Sequence, residues 1–150
     1  LATSGELISG RFVELDRKLF PSQILKKGYY TNSFHVDVDS GLSAERKLEL
    51  EGPFHSYANG GSISYVELKE APLGNADELL ETAVKSGVHY LGFNFPKDVC
   101  HECGSAGTFD SCPKCGSRKI TRIRRVSGYL EIQDYFTEGK MRESKNRRAN

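Results

Sequence analysis

All four cysteines of the chain fall within sixteen residues, as Cys100-x-x-Cys103 and Cys112-x-x-Cys115, and this spacing restricts the local fold more than any other feature. Each pair is followed by a glycine, Gly104 or Gly116, that lets the backbone turn beneath a bound ion. Two such turns can present four thiolates at the corners of a tetrahedron, as in a closed structural zinc site with Zn–S distances of about 2.3 Å. Disulfides and a thioredoxin-type redox pair are the competing readings. C-x-x-C pairs with Glu102 and Lys114 between the cysteines suit a metal better than a secreted scaffold. Two pairs at ribbon spacing are explained more simply by one metal than by two redox centres. Iron fits the same four sulfurs, and the sequence does not separate it from zinc. His101 lies between two ligands, but four cysteines complete the shell, so it reads as a solvated loop residue.

Charge points to no polyanionic partner. With 21 basic and 20 acidic residues the net charge is +1, so no global field directs the chain to nucleic acid or a membrane. There is no run of eighteen apolar residues and no signal-peptide pattern. The expectation is a soluble, cytoplasmic protein, and thiolate ligands fit a reducing compartment. A chain of 150 residues can bury a sizeable core. It opens at Leu1 without a methionine, which suggests a piece of something longer.

Three regions are expected. Residues 1–98 read as alternating α/β elements: a helical stretch after Thr3-Ser4-Gly5, an extended run from Tyr29 to Val38, a charged loop, a strand Ser62 to Leu68, a helix Asp77 to Ser86 and a strand Val88 to Phe95. Asn75 can cap the helix with Glu78 as its box partner, Leu79, Leu80, Ala83 and Val84 line one face, and Gly87 ends it. A helix joined to a strand by two residues is the αβ grammar of a barrel or wound sheet. Residues 99–121 form the zinc ribbon. Residues 122–150 carry a glycine loop and a helical tail from Glu138 to Arg148. The tail's bases, Lys140, Arg142, Lys145, Arg147 and Arg148, are interspersed with Glu138 and Glu143 and lack stacking aromatics, so they read as a solvated helix face, not a nucleic-acid patch.

Other candidate groups are weaker. Thr3, Ser4, Gly5 and Glu6 precede an apolar helical start, so their amides and hydroxyls could hold phosphate at a helix N-terminus, although an ordinary cap is the plainer reading. Ala58-Asn59-Gly60-Gly61 is a tight turn that could approach a ligand or merely join two strands. His35 and Asp37 share one side of the expected strand. No pairing of His35, His55 and His89 has metal or triad spacing, so they read as buried structural histidines.

Immediately after the ribbon, Arg124-Arg125-Val126-Ser127-Gly128-Tyr129-Leu130 resembles the glycyl-radical loop of the anaerobic (class III) ribonucleoside-triphosphate reductases, whose signature is R-V-(C/S/T)-G-Y-L shortly after a four-cysteine zinc site. Upstream, Gly28-Tyr29-Tyr30-Thr31-Asn32-Ser33-Phe34-His35, Leu50-Glu51-Gly52-Pro53-Phe54, Ala58-Asn59-Gly60-Gly61 and Gly92-Phe93-Asn94-Phe95-Pro96 are similar to segments of the same family in the same order. A glycine suits the role physically, because a Cα radical is stabilised when planar and a β-carbon would crowd it. Ser127 stands where some members carry cysteine, and Ser4-Gly5 where Pro-Ala is usual.

The resemblance implies the closing strands and helices of a ten-stranded α/β barrel, then a four-cysteine ribbon and a C-terminal radical loop. It implies that a radical-SAM activating enzyme, using its own 4Fe–4S cluster and S-adenosylmethionine, abstracts hydrogen from Gly128. The radical would pass to a cysteine elsewhere in the polypeptide, starting reduction of a ribonucleoside triphosphate to its 2′-deoxy form, in an enzyme expected to be a homodimer. All four cysteines here are committed to metal, so this chain supplies no thiyl residue. The turn at Thr3, Ser4, Gly5 and Glu6 would meet the substrate phosphates. Two other readings stay open: a separate radical-carrying subunit docking on a reductase barrel, and a zinc-ribbon interaction module without a radical.

Overall fold

The computed structural model describes Lys27, Tyr29 and residues 34–69, 74–126 and 129–150. Helix α1 spans Ala44–His55 and strand β1 Ser64–Glu67. Helix α2 (Ala76–Ser86) leads to β2 (Leu91–Asn94). Then come β3 (Lys97–Cys100), β4 (Ala106–Gly107), β5 (Ile120–Val126) and β6 (Tyr129–Ile132). A 3₁₀ turn at Gln133–Tyr135 precedes α3, Glu138–Asn146. The expected helix after Thr3-Ser4-Gly5 lies outside the described residues.

β1 and β2 pair in parallel through the α2 crossover, with Tyr65 opposite Gly92 and Glu67 opposite Asn94. Alternation gives this pair two unlike faces. Val66 joins Leu48, Ala44, Leu79 and Ala83 in the apolar core, with Leu68, Leu91 and Phe93 packed against it. Full burial of each large side chain there stabilises the unit by about 1.5–3 kcal/mol. Tyr65, Glu67, Gly92 and Asn94 take the opposite face, where Asn94 Nδ2 donates to Glu67 Oε2 at 2.7 Å.

The second sheet is antiparallel, in the order β4-β3-β5-β6. The ribbon and the hairpin that follows it therefore share one sheet. Val126 pairs with Tyr129 and Arg125 with Leu130, so the two strands flank Ser127-Gly128 directly.

Several expectations need correction. The charged loop contains α1, which Ser43 starts by accepting from Arg46 N–H and which continues through Pro53. The described part of the expected strand Tyr29 to Val38 forms turns and irregular backbone. Asn75 occupies the cap position of α2 without a side-chain cap bond, so the Glu78 box does not form. Gly87 does end α2, at φ 81°, its N–H reaching Ala83 and Val84 carbonyls. Only Leu79 and Ala83 of the expected apolar face are buried, whereas Leu80 and Val84 are 47% and 77% exposed. The join to β2 takes residues 87–90 instead of two, because Val88 packs on the core before the strand begins.

Candidate metal centre and the adjoining hairpin

The two cysteine turns are copies of one design, C-x-x-C-G-S. In the first, Cys100 N–H donates to the Ser105 carbonyl at 2.9 Å and Gly104 N–H to the Cys100 carbonyl at 3.0 Å. In the second, Cys112 N–H reaches Ser117 and Gly116 N–H reaches Cys112, both at 2.8 Å. Gly104 and Gly116 take φ of 68° and 74°, where a β-carbon would be strained. The turns face one another and bring all four sulfurs within 4.8 Å.

Cys100 Sγ lies 3.6 Å from Cys115 Sγ, and Cys103 Sγ lies 3.5 Å from Cys112 Sγ. A disulfide requires about 2.05 Å. Zn–S bonds of about 2.3 Å give a tetrahedron with edges of about 3.8 Å, so the donor set and its spacing fit a four-coordinate soft or borderline cation. Burial works against ionisation of Cys112, but N–H groups of Cys115 and Lys114 bring its pKa down to about 6. The Ser117 N–H favours the Cys115 thiolate, yet burial and the neighbouring sulfurs push that thiol up to about 12. Cation binding must then release protons. Phe109 and Ile120 shield the buried Cys100 and Cys112. His101 is exposed, as expected of a loop residue, and its ring bonds Thr121.

β5 runs from this cage to the residues flanking Gly128. Ile120 packs at the cage, and Val126 is 1% exposed at the other end. Between them Arg124 Nη1 lies 2.7 Å from buried Asp98, whose other oxygen accepts from Phe109 N–H. The Arg125 side chain leaves the ribbon sheet and reaches Tyr65 on the face of β1 opposite α1 and α2. Arg147 bonds Glu67 on the same face, while Asn150 exchanges bonds with the Glu67 backbone. The tail is thus more than a solvated face. Lys140 is buried and pairs with Glu131 at 2.5 Å, and Glu143 is buried beside Arg147. A cavity of about 150 Å³ between Arg124, Arg125, Arg147, Glu67 and Asn94 remains at the junction.

The sequence reading missed a buried polar chain. His89 N–H donates to His55 Nδ1 at 3.2 Å, which leaves Nε2 to carry the proton and donate to Ser64 Oγ at 2.8 Å. Ser64 in turn donates to Glu51 Oε2 at 2.5 Å, where His35 Nδ1 also approaches to 3.1 Å. Glu51, His55 and Ser64 are each no more than 1% exposed. Despite burial, the bond from His35 and the Lys47 charge hold the Glu51 carboxyl below its ordinary range. The four-residue spacing of Lys47, Glu51 and His55 was the available signal, and it becomes visible only once 44–55 is known to be helical. His55 is the buried histidine expected, whereas His35 is half-buried and His89 exposed. Beside this chain, Gly60 and Gly61 line a cavity of about 390 Å³ with His35, Tyr65 and Tyr90. Gly128 and the Thr3, Ser4, Gly5, Glu6 turn lie outside the described residues.

Comparison with known proteins agrees across sequence and structure. The family described as anaerobic ribonucleoside-triphosphate reductase matches residues 1–149. The chain is 37% identical to the anaerobic ribonucleoside-triphosphate reductase of Escherichia coli (strain K12), a match covering 97% of this chain and 22% of the relative. It is 36% identical to that of Enterobacteria phage T4, over 86% of this chain and 23% of the relative. A solved structure titled anaerobic ribonucleotide reductase superposes with a TM-score of 0.74 at 25% identity, covering 97% of this chain and 23% of that one. The Thermotoga maritima anaerobic ribonucleotide reductase, solved with MES in its active site, gives 0.67 at 25% identity, over 89% and 22%. The chain thus spans about a fifth of the length of the relatives it matches and belongs to the anaerobic ribonucleoside-triphosphate reductase family.

Proposed function

We propose that this chain is the radical-storing, C-terminal part of a reductase that converts ribonucleoside triphosphates to 2′-deoxyribonucleoside triphosphates for DNA synthesis. Gly128 is the storage residue. A hydrogen atom leaves its Cα for the radical that an activating enzyme generates from S-adenosylmethionine with a 4Fe–4S cluster. The glycyl radical later takes a hydrogen atom from a cysteine thiol in the remainder of the polypeptide. That step restores the glycine and leaves the thiyl radical that attacks the ribose.

One observation carries this reading above the others. The strand flanking Gly128 is rooted at one end in a four-sulfur cage and packed by Arg125 onto the face of a parallel β-pair that lies opposite its apolar core. Cys100, Cys103, Cys112 and Cys115 would hold zinc, which with four protein ligands supplies cross-linking and no open position for chemistry. Among the described residues β1 and β2 have no further strand, and parallel pairs rarely stand alone. The exposed Leu80 and Val84 also await cover. Both features support a larger sheet structure around this chain; the family resemblance extends that reading to a cytoplasmic, homodimeric ten-stranded barrel, of which residues 1–98 form the closing part, 99–121 the ribbon and 122–150 the radical loop and tail. Thr3, Ser4, Gly5 and Glu6 would face the substrate phosphates. Among the described residues, no helix is long and apolar enough to cross a membrane.

The test is low-temperature EPR after anaerobic activation with S-adenosylmethionine and reductant, with and without the rest of the barrel. The expected result is a glycyl doublet that Gly128→Ala abolishes while zinc content is unchanged. A doublet surviving in Gly128→Ala would place the radical elsewhere. No doublet under either condition, with zinc bound, would leave a structural ribbon module.

A further inference from the structure

Arg125 stands three residues before Gly128. Its guanidinium carbon lies 4.6 Å from the centroid of the Tyr65 ring, and Nη1 donates to Tyr65 Oη at 3.0 Å. The ring lies across β2 at Gly92, its register partner: a β-carbon on Gly92 would sit 2.5 Å from Cε1 and 2.6 Å from Cδ1. Tyr65 is held from behind as well, because buried Lys47 donates to its carbonyl. Glycine, phenol ring and guanidinium therefore form three stacked layers between the two sheets.

We propose that Arg125, Tyr65 and Gly92 form a clasp that positions the Gly128 loop for hydrogen-atom exchange with the rest of the reductase. The proposal rests on the radical-storage reading. Arg124 acts within the ribbon sheet, through Asp98, and sets the strand's place there. Arg125 instead crosses between sheets and sets where the end of β5 stands relative to β1. Three residues can separate Arg125 from Gly128 by no more than about 10 Å, whatever their conformation. The ladder pairs Arg125 with Leu130 and Val126 with Tyr129, so a displacement at Arg125 is shared by both strands up to the pair that brackets Gly128 in sequence. A planar guanidinium is suited to this task, since it stacks and donates at once, whereas an ammonium cannot stack. Gly92 matters for what it leaves out: any side chain there would lift the ring off β2.

The experiment uses the full reductase polypeptide with its activating enzyme and reads zinc content, glycyl spins per polypeptide, and nucleotide reduced per spin. Tyr65→Leu and Arg125→Lys are expected to keep zinc, doublet yield and nucleotide KM. Turnover per spin should fall by about tenfold to a hundredfold, the cost of misplacing reacting groups by about an ångström. Tyr65→Phe retains the ring and should recover most of the loss. Gly92→Ala displaces the ring without changing either partner, so it should reproduce the loss and add nothing in combination with Tyr65→Leu. Unchanged turnover per spin in Tyr65→Leu and Arg125→Lys overturns the clasp. So does loss of zinc or doublet in Tyr65→Phe and Arg125→Lys alike, which would make the stack a folding contact. If Tyr65→Leu does not fold, Arg125→Lys and Gly92→Ala decide by the same per-spin measure. An unmutated enzyme without a doublet refutes the radical reading itself and is seen before any variant is made.

Discussion

His55 shows how much chemistry one buried side chain can carry here. Burial, with His89 and His35 nearby, holds its pKa below the ordinary 6.5, against a weaker pull from Glu51. Its folded pKa being depressed, the unfolded chain takes up the proton first as pH falls. Stability from this residue is therefore complete above 6.5 and is lost as pH falls through the folded pKa. Glu51, also depressed, adds the same sign in a window beginning lower, near its ordinary 4.5. Melting temperature is thus expected to decline on acidification below 6.5, and His55→Gln should flatten that upper part of the profile; an unaltered profile would remove His55 from the account. The cysteines allow a sharper test. Cys115 is the exposed member of the set, yet its sulfur is 3.6 Å from that of buried Cys100. Cys115→Ser should lose metal as completely as Cys100→Ser, measured as zinc per chain by mass spectrometry, because three thiolates leave the shell open.

At the scale of elements, α1 teaches the most. Its charges read as a loop, but the helix exists because it has a tertiary partner. A β-carbon on Gly52 would stand 2.0 Å from the Ser86 carbonyl oxygen, so the backbones of α1 and α2 meet where only glycine fits. Gly52→Ala is expected to cost about 1–3 kcal/mol in urea denaturation, by forcing the helices apart. Gly60→Ala, which meets open space, should stay within about 0.5 kcal/mol. A Gly52→Ala midpoint equal to that of the parent would refute the close-packing argument. The strand Ser64–Glu67 and the helix Ala76–Ser86 were legible within two residues, since both carry their own periodicity. The Asn75 cap bond was not, because a cap's geometry depends on how the preceding chain arrives.

At the scale of the whole molecule, the described residues draw their stability from two sources. The β1–α2–β2 unit with α1 is held by an apolar core, whereas the β4-β3-β5-β6 sheet is organised around the sulfur cage with little core of its own. Chelation is therefore expected to abolish amide protection through β3 to β6 and spare α1, β1, α2 and β2 in hydrogen exchange; uniform loss would show that the two are one cooperative unit. The sequence alone determined the cage, since C-x-x-C-G-S written twice specifies its own turns and sulfur donors through local backbone geometry. It also determined family membership through the motif around Gly128. Tertiary structure decided which face of the parallel pair receives the hairpin. That choice depends on Arg125 meeting Tyr65 sixty positions away, and on Glu67 holding Arg147 eighty positions away. Such contacts have no period and no local signature, because each becomes favourable only after the chain has brought desolvated partners together.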